Sequence, residues 1–137
     1  MRVYLDSSAI VKRAVREAET AALSQSMQQI FARGDFVFSS ALATVEVGRS
    51  LRSRLENESP QTIATLSAAA LGGISECAVS SQVVGVALRL GPPSLRSLDA
   101  IHLATASIVA ADVVIAYDRR LLRAAEELGF RTLSPGA

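Results

Sequence analysis

Along the chain, short apolar runs alternate with longer stretches in which apolar residues recur at helical spacing. Arg2 to Leu5 predicts a strand, and Ser7 and Ser8 lead into an apolar-periodic helix from Ala9 to Val15. Glu19 to Arg33 predicts a second amphipathic helix closed by Gly34, and Phe36-Val37-Phe38 a second strand. Ser39 and Ser40 offer an N-cap to a helix running through Ala43, Glu46 and Leu51 to about Leu55. Ser59-Pro60 starts the next, because proline suits the first helical position, and Gly72-Gly73 ends it. Ile74 to Val79 is the third strand; Ser80 or Ser81 then begins a helix to Leu90, which Gly91-Pro92-Pro93 breaks.

The last third is the most legible. Ser94 and Ser97 are the expected caps of a long apolar helix from about Leu95 to Ala110, followed by a fourth strand over Asp112 to Tyr117. Asp118 caps a helix from Arg119 to Leu128, Gly129 stops it, and Phe130 to Leu133 is the fifth strand. This alternation predicts an α/β fold with a central parallel sheet of four to five strands and helices on both faces. No repeat, linker or low-complexity segment interrupts it, so one domain accounts for residues 1–137.

Composition narrows the class. Half of the 137 residues are hydrophobic, ample for a core and incompatible with general disorder. The longest apolar stretch, Leu103 to Ala111, is relieved by Thr105 and Ser107 and falls short of the ~20 residues of a membrane span. The N-terminal apolar run stops at Asp6, so no secretory signal is expected, and the single Cys77 cannot form an internal disulfide. A reducing cytoplasm is the expected location. Fourteen basic against thirteen acidic residues leave a net charge of +1, which excludes binding to nucleic acid by bulk charge alone. Any such contact must come from local clusters of arginine, which outnumbers the single Lys12 and grips phosphate in bidentate fashion.

An open parallel sheet binds ligands beyond the carboxyl ends of its strands. Asp6 and Asp118 stand there, one after the first strand and one after the fourth; each is equally placed to cap the following helix. Asp99 falls within ~60° of His102 and Ala106 on an apolar helix, and an acid is seldom buried unless paired or metal-bound. His102 reads as a satisfied core residue. Glu46 carries the weakest signal, since a solvated pair with Arg49 three residues on is the default.

Together these residues carry a family resemblance. The segments Leu5-Asp6-Ser7-Ser8-Ala9-Ile10-Val11-Lys12-Arg13, Val45-Glu46-Val47, Leu98-Asp99-Ala100-Ile101-His102-Leu103-Ala104-Thr105-Ala106 and Ala116-Tyr117-Asp118-Arg119-Arg120-Leu121 resemble the four signature blocks of PIN-domain ribonucleases. The similarity is greatest to the VapC-type toxins of bacterial toxin-antitoxin modules, and it spans Met1 to Pro135 in the family's order. The resemblance implies a Mg²⁺-dependent endoribonuclease in which Asp6, Glu46, Asp99 and Asp118 converge. Asp6, Asp99 and Asp118 would ligate the metal, and Glu46 would act through water or as a base. Mn²⁺ is expected to substitute. Ser7 or Ser8 would support the metal-bound solvent or the phosphate. Family members often carry Thr or Ser where this chain has Ala116, and Ser7 is the expected replacement for that hydroxyl.

Oxygen ligands suit a hard cation that keeps several waters, and crowded carboxylates raise one another's pKa until a cation relieves them. Water activated there would attack phosphorus in line, leaving 5′-phosphate and 3′-hydroxyl ends. Arg49, Arg96 and Arg119 are the candidates for holding substrate phosphates, against the alternative of a solvated helix face. With so few aromatic residues, an extended base-stacking platform is not expected. By resemblance the partners are RNA, a small antitoxin lying over the first helices and the Ala43 to Leu55 helix, and a second copy in a homodimer within a higher toxin-antitoxin assembly; no membrane is expected. Two other readings stay open: a non-catalytic module binding RNA or antitoxin, and a structure-specific DNA nuclease. A dehalogenase-type phosphatase would need an acid where Ser8 stands, a receiver domain a late lysine, and no phosphate-binding glycine loop occurs.

Overall fold

In a computed structural model, which describes residues 1–137, the opening apolar run forms the central strand β1 (Arg2–Leu5). Val3, Tyr4 and Leu5 are completely buried, as a strand covered on both faces requires. The chain continues through α1 (Ser7–Ala14), α2 (Thr20–Ala32), β2 (Phe36–Ser40), α3 (Ala41–Arg54), α4 (Pro60–Ala70) and β3 (Ser75–Cys77). It ends with α5 (Ser81–Ala87), α6 (Ser97–Ile108), β4 (Val113–Ile115), α7 (Arg119–Glu127) and β5 (Arg131–Leu133). All five strands are parallel, in the order β3-β2-β1-β4-β5, with Val3 opposite Val37 on one side and Val113 on the other. The α/β expectation holds, at the upper end of its strand range.

The period of two along β1 divides the core. Val3 and Leu5 pack on the side of α1 to α4, with Ile10, Leu23, Val47 and Leu51. Tyr4 faces the other way, with Val114, Leu103 of α6 and Leu121 of α7. Helices therefore cover both faces. None is long and apolar enough to cross a membrane.

Most expected caps are present. Ser40, Ser59 and Ser80 accept backbone N–H bonds at the starts of α3, α4 and α5, and Gly34 and Gly129 take the left-handed conformation (φ +75° and +89°) just after α2 and α7. The caps expected for α6 are wrong. Its N-cap position is Arg96, which makes no side-chain cap bond, because the Gly91-Pro92-Pro93 turn continues to Leu95, whose N–H donates to the Pro92 carbonyl. β3 is also shorter than Ile74 to Val79, being an edge strand that pairs only with Phe38 to Ser40.

The strand order reverses between β1 and β4. Chain leaving β1 leads toward β2 on one side, while β4 and β5 lie on the other, so a crevice opens beyond the carboxyl ends of β1 and β4.

Candidate active site

Asp6 leaves the end of β1 and caps α1; its Oδ1 accepts from Ala9 N–H at 3.1 Å and from the Ser8 hydroxyl at 2.6 Å. Asp118, beyond β4, caps α7 in the same way, its Oδ1 accepting from Arg120 and Leu121 N–H at 2.9 and 3.3 Å. In both carboxylates one oxygen does the capping and Oδ2 receives no hydrogen bond within the chain. Helix capping and ligand binding are therefore compatible uses of one side chain.

Asp99 comes from the first turn of α6 and Glu46 from the middle of α3. All four acids line one cleft of about 460 Å³, together with Ser7, Ser8 and His102. Asp99 Oδ2 is buried without a hydrogen-bond partner; the nearest cation, Arg120 Nε, is 3.6 Å away, too far for a good bond. An orphaned carboxylate oxygen is costly unless something outside the chain completes it. As the side chains stand, no three acidic, histidine or cysteine donors form a ready coordination shell, so binding an ion requires them to turn inward.

Electrostatics are strained in the expected direction. Burial pushes the Asp6 carboxyl up to about 6; the Asp118 charge adds to the rise, while the Ser8 hydroxyl and the Ala9 N–H oppose it. Asp99 is raised by burial first and then by Asp118, against the pull of Arg120 and Arg96.

Two expectations need correction, those for the partner of Glu46 and for the serine beside Asp6, and one, His102, holds. Glu46 does not pair with Arg49: its Oε1 lies 2.6 Å from His102 Nε2, and Arg49 is exposed beside Arg52 and Ser53 in a separate recess. His102 is a satisfied core residue as expected, 3% exposed, but its partners are Glu46 and the Tyr4 hydroxyl. Ser8, not Ser7, makes the hydroxyl bonds expected beside Asp6. It donates to Asp6 and accepts from Tyr117 N–H at 2.8 Å, tying the segment after β1 to the segment after β4, whereas Ser7 lines the cleft without such bonds. Ser8→Ala would leave the Tyr117 N–H unsatisfied and should cost about 2 kcal/mol in urea unfolding. Ser7→Ala should cost under about 0.5 kcal/mol. Equal midpoints for the two variants would remove the role assigned to Ser8.

Arg96 and Arg119 are exposed and, like Arg49, do not line the cleft. The cations that do are Lys12 and Arg54. Helical spacing carries this signal: Ser8 and Lys12 are four apart on α1, and Glu46, Ser50 and Arg54 form an i, i+4, i+8 stripe on α3 that lines the cleft throughout. Lys12 Nζ bonds Glu17 at 2.5 Å and Glu19 at 3.0 Å and lies 4.7 Å from the Tyr117 ring centroid; Arg54 also pairs with Glu17.

Known proteins share the sequence and the fold that carry this cleft. The family model for the PIN domain matches residues 3–127. Ribonuclease VapC46 of Mycobacterium tuberculosis is 40% identical over 135 residues, covering 97% of each chain. Ribonuclease VapC47 of the same species is 34% identical over 137 residues, covering 98% of each. Among solved structures, the fold is shared with M. tuberculosis VapC20, described as a sarcin-ricin loop cleaving toxin (TM-score 0.70, 16% identity, 97% of this chain and 99% of that one). It is shared also with VapBC2 of Rickettsia felis, solved on a DNA fragment from its promoter (TM-score 0.73, 10% identity, 97% and 98%). A parallel five-stranded sheet carrying four acids at its switch point, with relatives of this identity along nearly its whole length, places the chain in the PIN domain family, in its VapC branch.

Proposed function

We propose that this chain is a divalent-metal-dependent endoribonuclease and the toxin of a toxin-antitoxin pair. The observation that carries the reading is the set of four acids around one cleft, with Asp99 Oδ2 buried and unpartnered. The donors suit Mg²⁺ in kind: carboxylate oxygens only, with Asp6 and Asp118 each keeping one oxygen clear of capping bonds. Asp6, Asp99 and Asp118 would hold the ion, and Mn²⁺ would substitute. When bound, such an ion supplies stabilisation of the charge that develops on the phosphate oxygens and makes water more acidic.

The chain's own residues do the rest. Glu46, held by His102, accepts a proton from the water that attacks phosphorus; the P–O3′ bond breaks and the departing 3′ oxygen takes a proton from solvent, leaving 5′-phosphate and 3′-hydroxyl ends. Ser8 keeps Asp6 in register with the segment leading to Asp118. Arg54, about half exposed at the cleft rim, is placed to exchange Glu17 for a phosphate flanking the cut. Arg96 and Arg119 lie further out and would contribute only to distant phosphates. The relatives named as ribonucleases support RNA as the substrate, and the structural neighbour solved as a VapBC pair supports an antitoxin partner. That antitoxin would cover α1, α2 and α3 in a homodimeric toxin assembly in the cytoplasm.

The test is a calorimetric Mn²⁺ titration of the antitoxin-free protein, followed by cleavage of total RNA and of flap DNA with and without chelator. Saturable binding, weakening below about pH 6 as Asp6 takes up its proton, and chelator-sensitive cleavage of RNA alone are expected. Absence of binding at neutral pH would sink the catalytic reading in favour of a non-catalytic binding module; cleavage of flap DNA would identify a DNA nuclease instead.

A further inference from the structure

Behind Glu46 lies a buried hydrogen-bonded chain that the metal chemistry does not use. Tyr4 on β1 is fully buried, and its hydroxyl is 2.7 Å from Nδ1 of His102 on α6. His102 Nε2 is in turn 2.6 Å from Oε1 of Glu46 on α3. The two rings meet edge to face, with centroids 6.0 Å apart and planes at 73°. The chain of bonds links the central strand to one helix from each layer; His102 and Glu46 reach the cleft, and Tyr4 lies behind them.

Hydrogen-bond chemistry gives the chain a direction. A carboxylate only accepts, so the ring nitrogen facing Glu46 must carry the proton. In a neutral imidazole the other nitrogen is then an acceptor and requires a donor, which the Tyr4 hydroxyl supplies. A phenol is protonated at neutral pH, so the Tyr4 hydroxyl has a proton to donate to Nδ1, 2.7 Å away.

We propose that Tyr4 and His102 are positioning residues for the reaction: Tyr4 donates to Nδ1 and pins the ring whose Nε2–H the carboxylate requires, and His102 thereby holds Glu46 by Oε1 and aims its other oxygen into the cleft. The proposal rests on the nuclease reading for its consequence, but the tautomer is independent of it. Without Tyr4 the buried Nδ1 loses its donor, and the ring is held beside Glu46 by one bond instead of two. His102 binds nothing in the reaction itself; it acts through Glu46.

The chain contains one histidine, so ¹⁵N-histidine labelling reports on this ring alone. In metal-free, RNA-free wild type at neutral pH, the expected result is an unprotonated Nδ1 and a protonated, slowly exchanging Nε2. In Tyr4→Phe, the Nδ1 signal should shift as its hydrogen bond is lost and the Nε2 proton should exchange faster, Mn²⁺ affinity should stay within about twofold, and kcat for RNA cleavage should fall about tenfold with KM unchanged. An Nδ1–H tautomer or a doubly protonated ring in the wild type would overturn the proposal, as would Tyr4→Phe with wild-type kcat. Should Tyr4→Phe fail to fold, the wild-type ring signals still decide. Those signals are read without metal or RNA, so a failure of the nuclease reading is told apart from a failure of the relay.

Discussion

Asp99→Asn is expected to weaken Mn²⁺ binding at least tenfold, about 1.4 kcal/mol, and to slow RNA cleavage roughly 100-fold or more. The substitution is nearly isosteric and removes no hydrogen bond, because Asp99 makes none within the chain, so the fold should be undisturbed. It removes the charge whose buried Oδ2 has no partner and relieves repulsion with Asp118. Loss of function with retained or slightly increased thermal stability is therefore the signature. Calorimetry and a cleavage time course on the two proteins would measure it. Wild-type affinity and rate in the variant would show that Asp99 is an ordinary helix-end acid.

Asp6→Asn should stabilise the metal-free protein by about 3 kcal/mol at neutral pH, raising Tm by about 10 °C, while abolishing cleavage. The carboxyl sits at about 6 in the folded chain because it is buried, well above its unfolded value of 3.8. Protonation therefore favours the folded state: the contribution is complete below pH 4 and is lost as pH rises through about 6. Wild type and variant should accordingly be equally stable near pH 4 and diverge up to about pH 7, then run parallel. Asparagine keeps the oxygen that accepts from Ala9 and Ser8, so the cap of α1 survives. Saturating Mn²⁺ should close the gap by stabilising wild type alone. A variant less stable than wild type at pH 7 would mean that Asp6 is not strained by burial.

Both effects express one trade. The site gathers acids where they repel and where burial opposes their charge, and the fold tolerates this because Asp6 and Asp118 also cap helices. Activity and metal-free stability should then move in opposite directions at Asp6 and Asp99, but together at Ser8.

Much of the fold was legible in the order of residues. The continuous apolar run at β1, the alternation of strands with helices, and the Ser59-Pro60 start all rest on local rules that tertiary contacts here reinforce. The missed caps of α6 show where local rules compete: two serines were available, and the proline turn settled the boundary instead. Asp6 and Asp118 were legible because a position after a parallel strand is defined by chain order alone. Glu46 was not, because its defining partner, His102, is fifty-six residues away.

What the sequence by itself determined, then, was the layered α/β architecture, the edge of the sheet that carries the acids, and through its four blocks the family. These follow from periodicity and chain order, which are properties of neighbours along the chain. Tertiary structure decided which serine joins the two strand ends, which cations reach the cleft, and that Tyr4, His102 and Glu46 form one hydrogen-bonded line. Each depends on the distance between side chains on separate elements. Helix packing sets that distance, and the spacing of residues in sequence does not encode it.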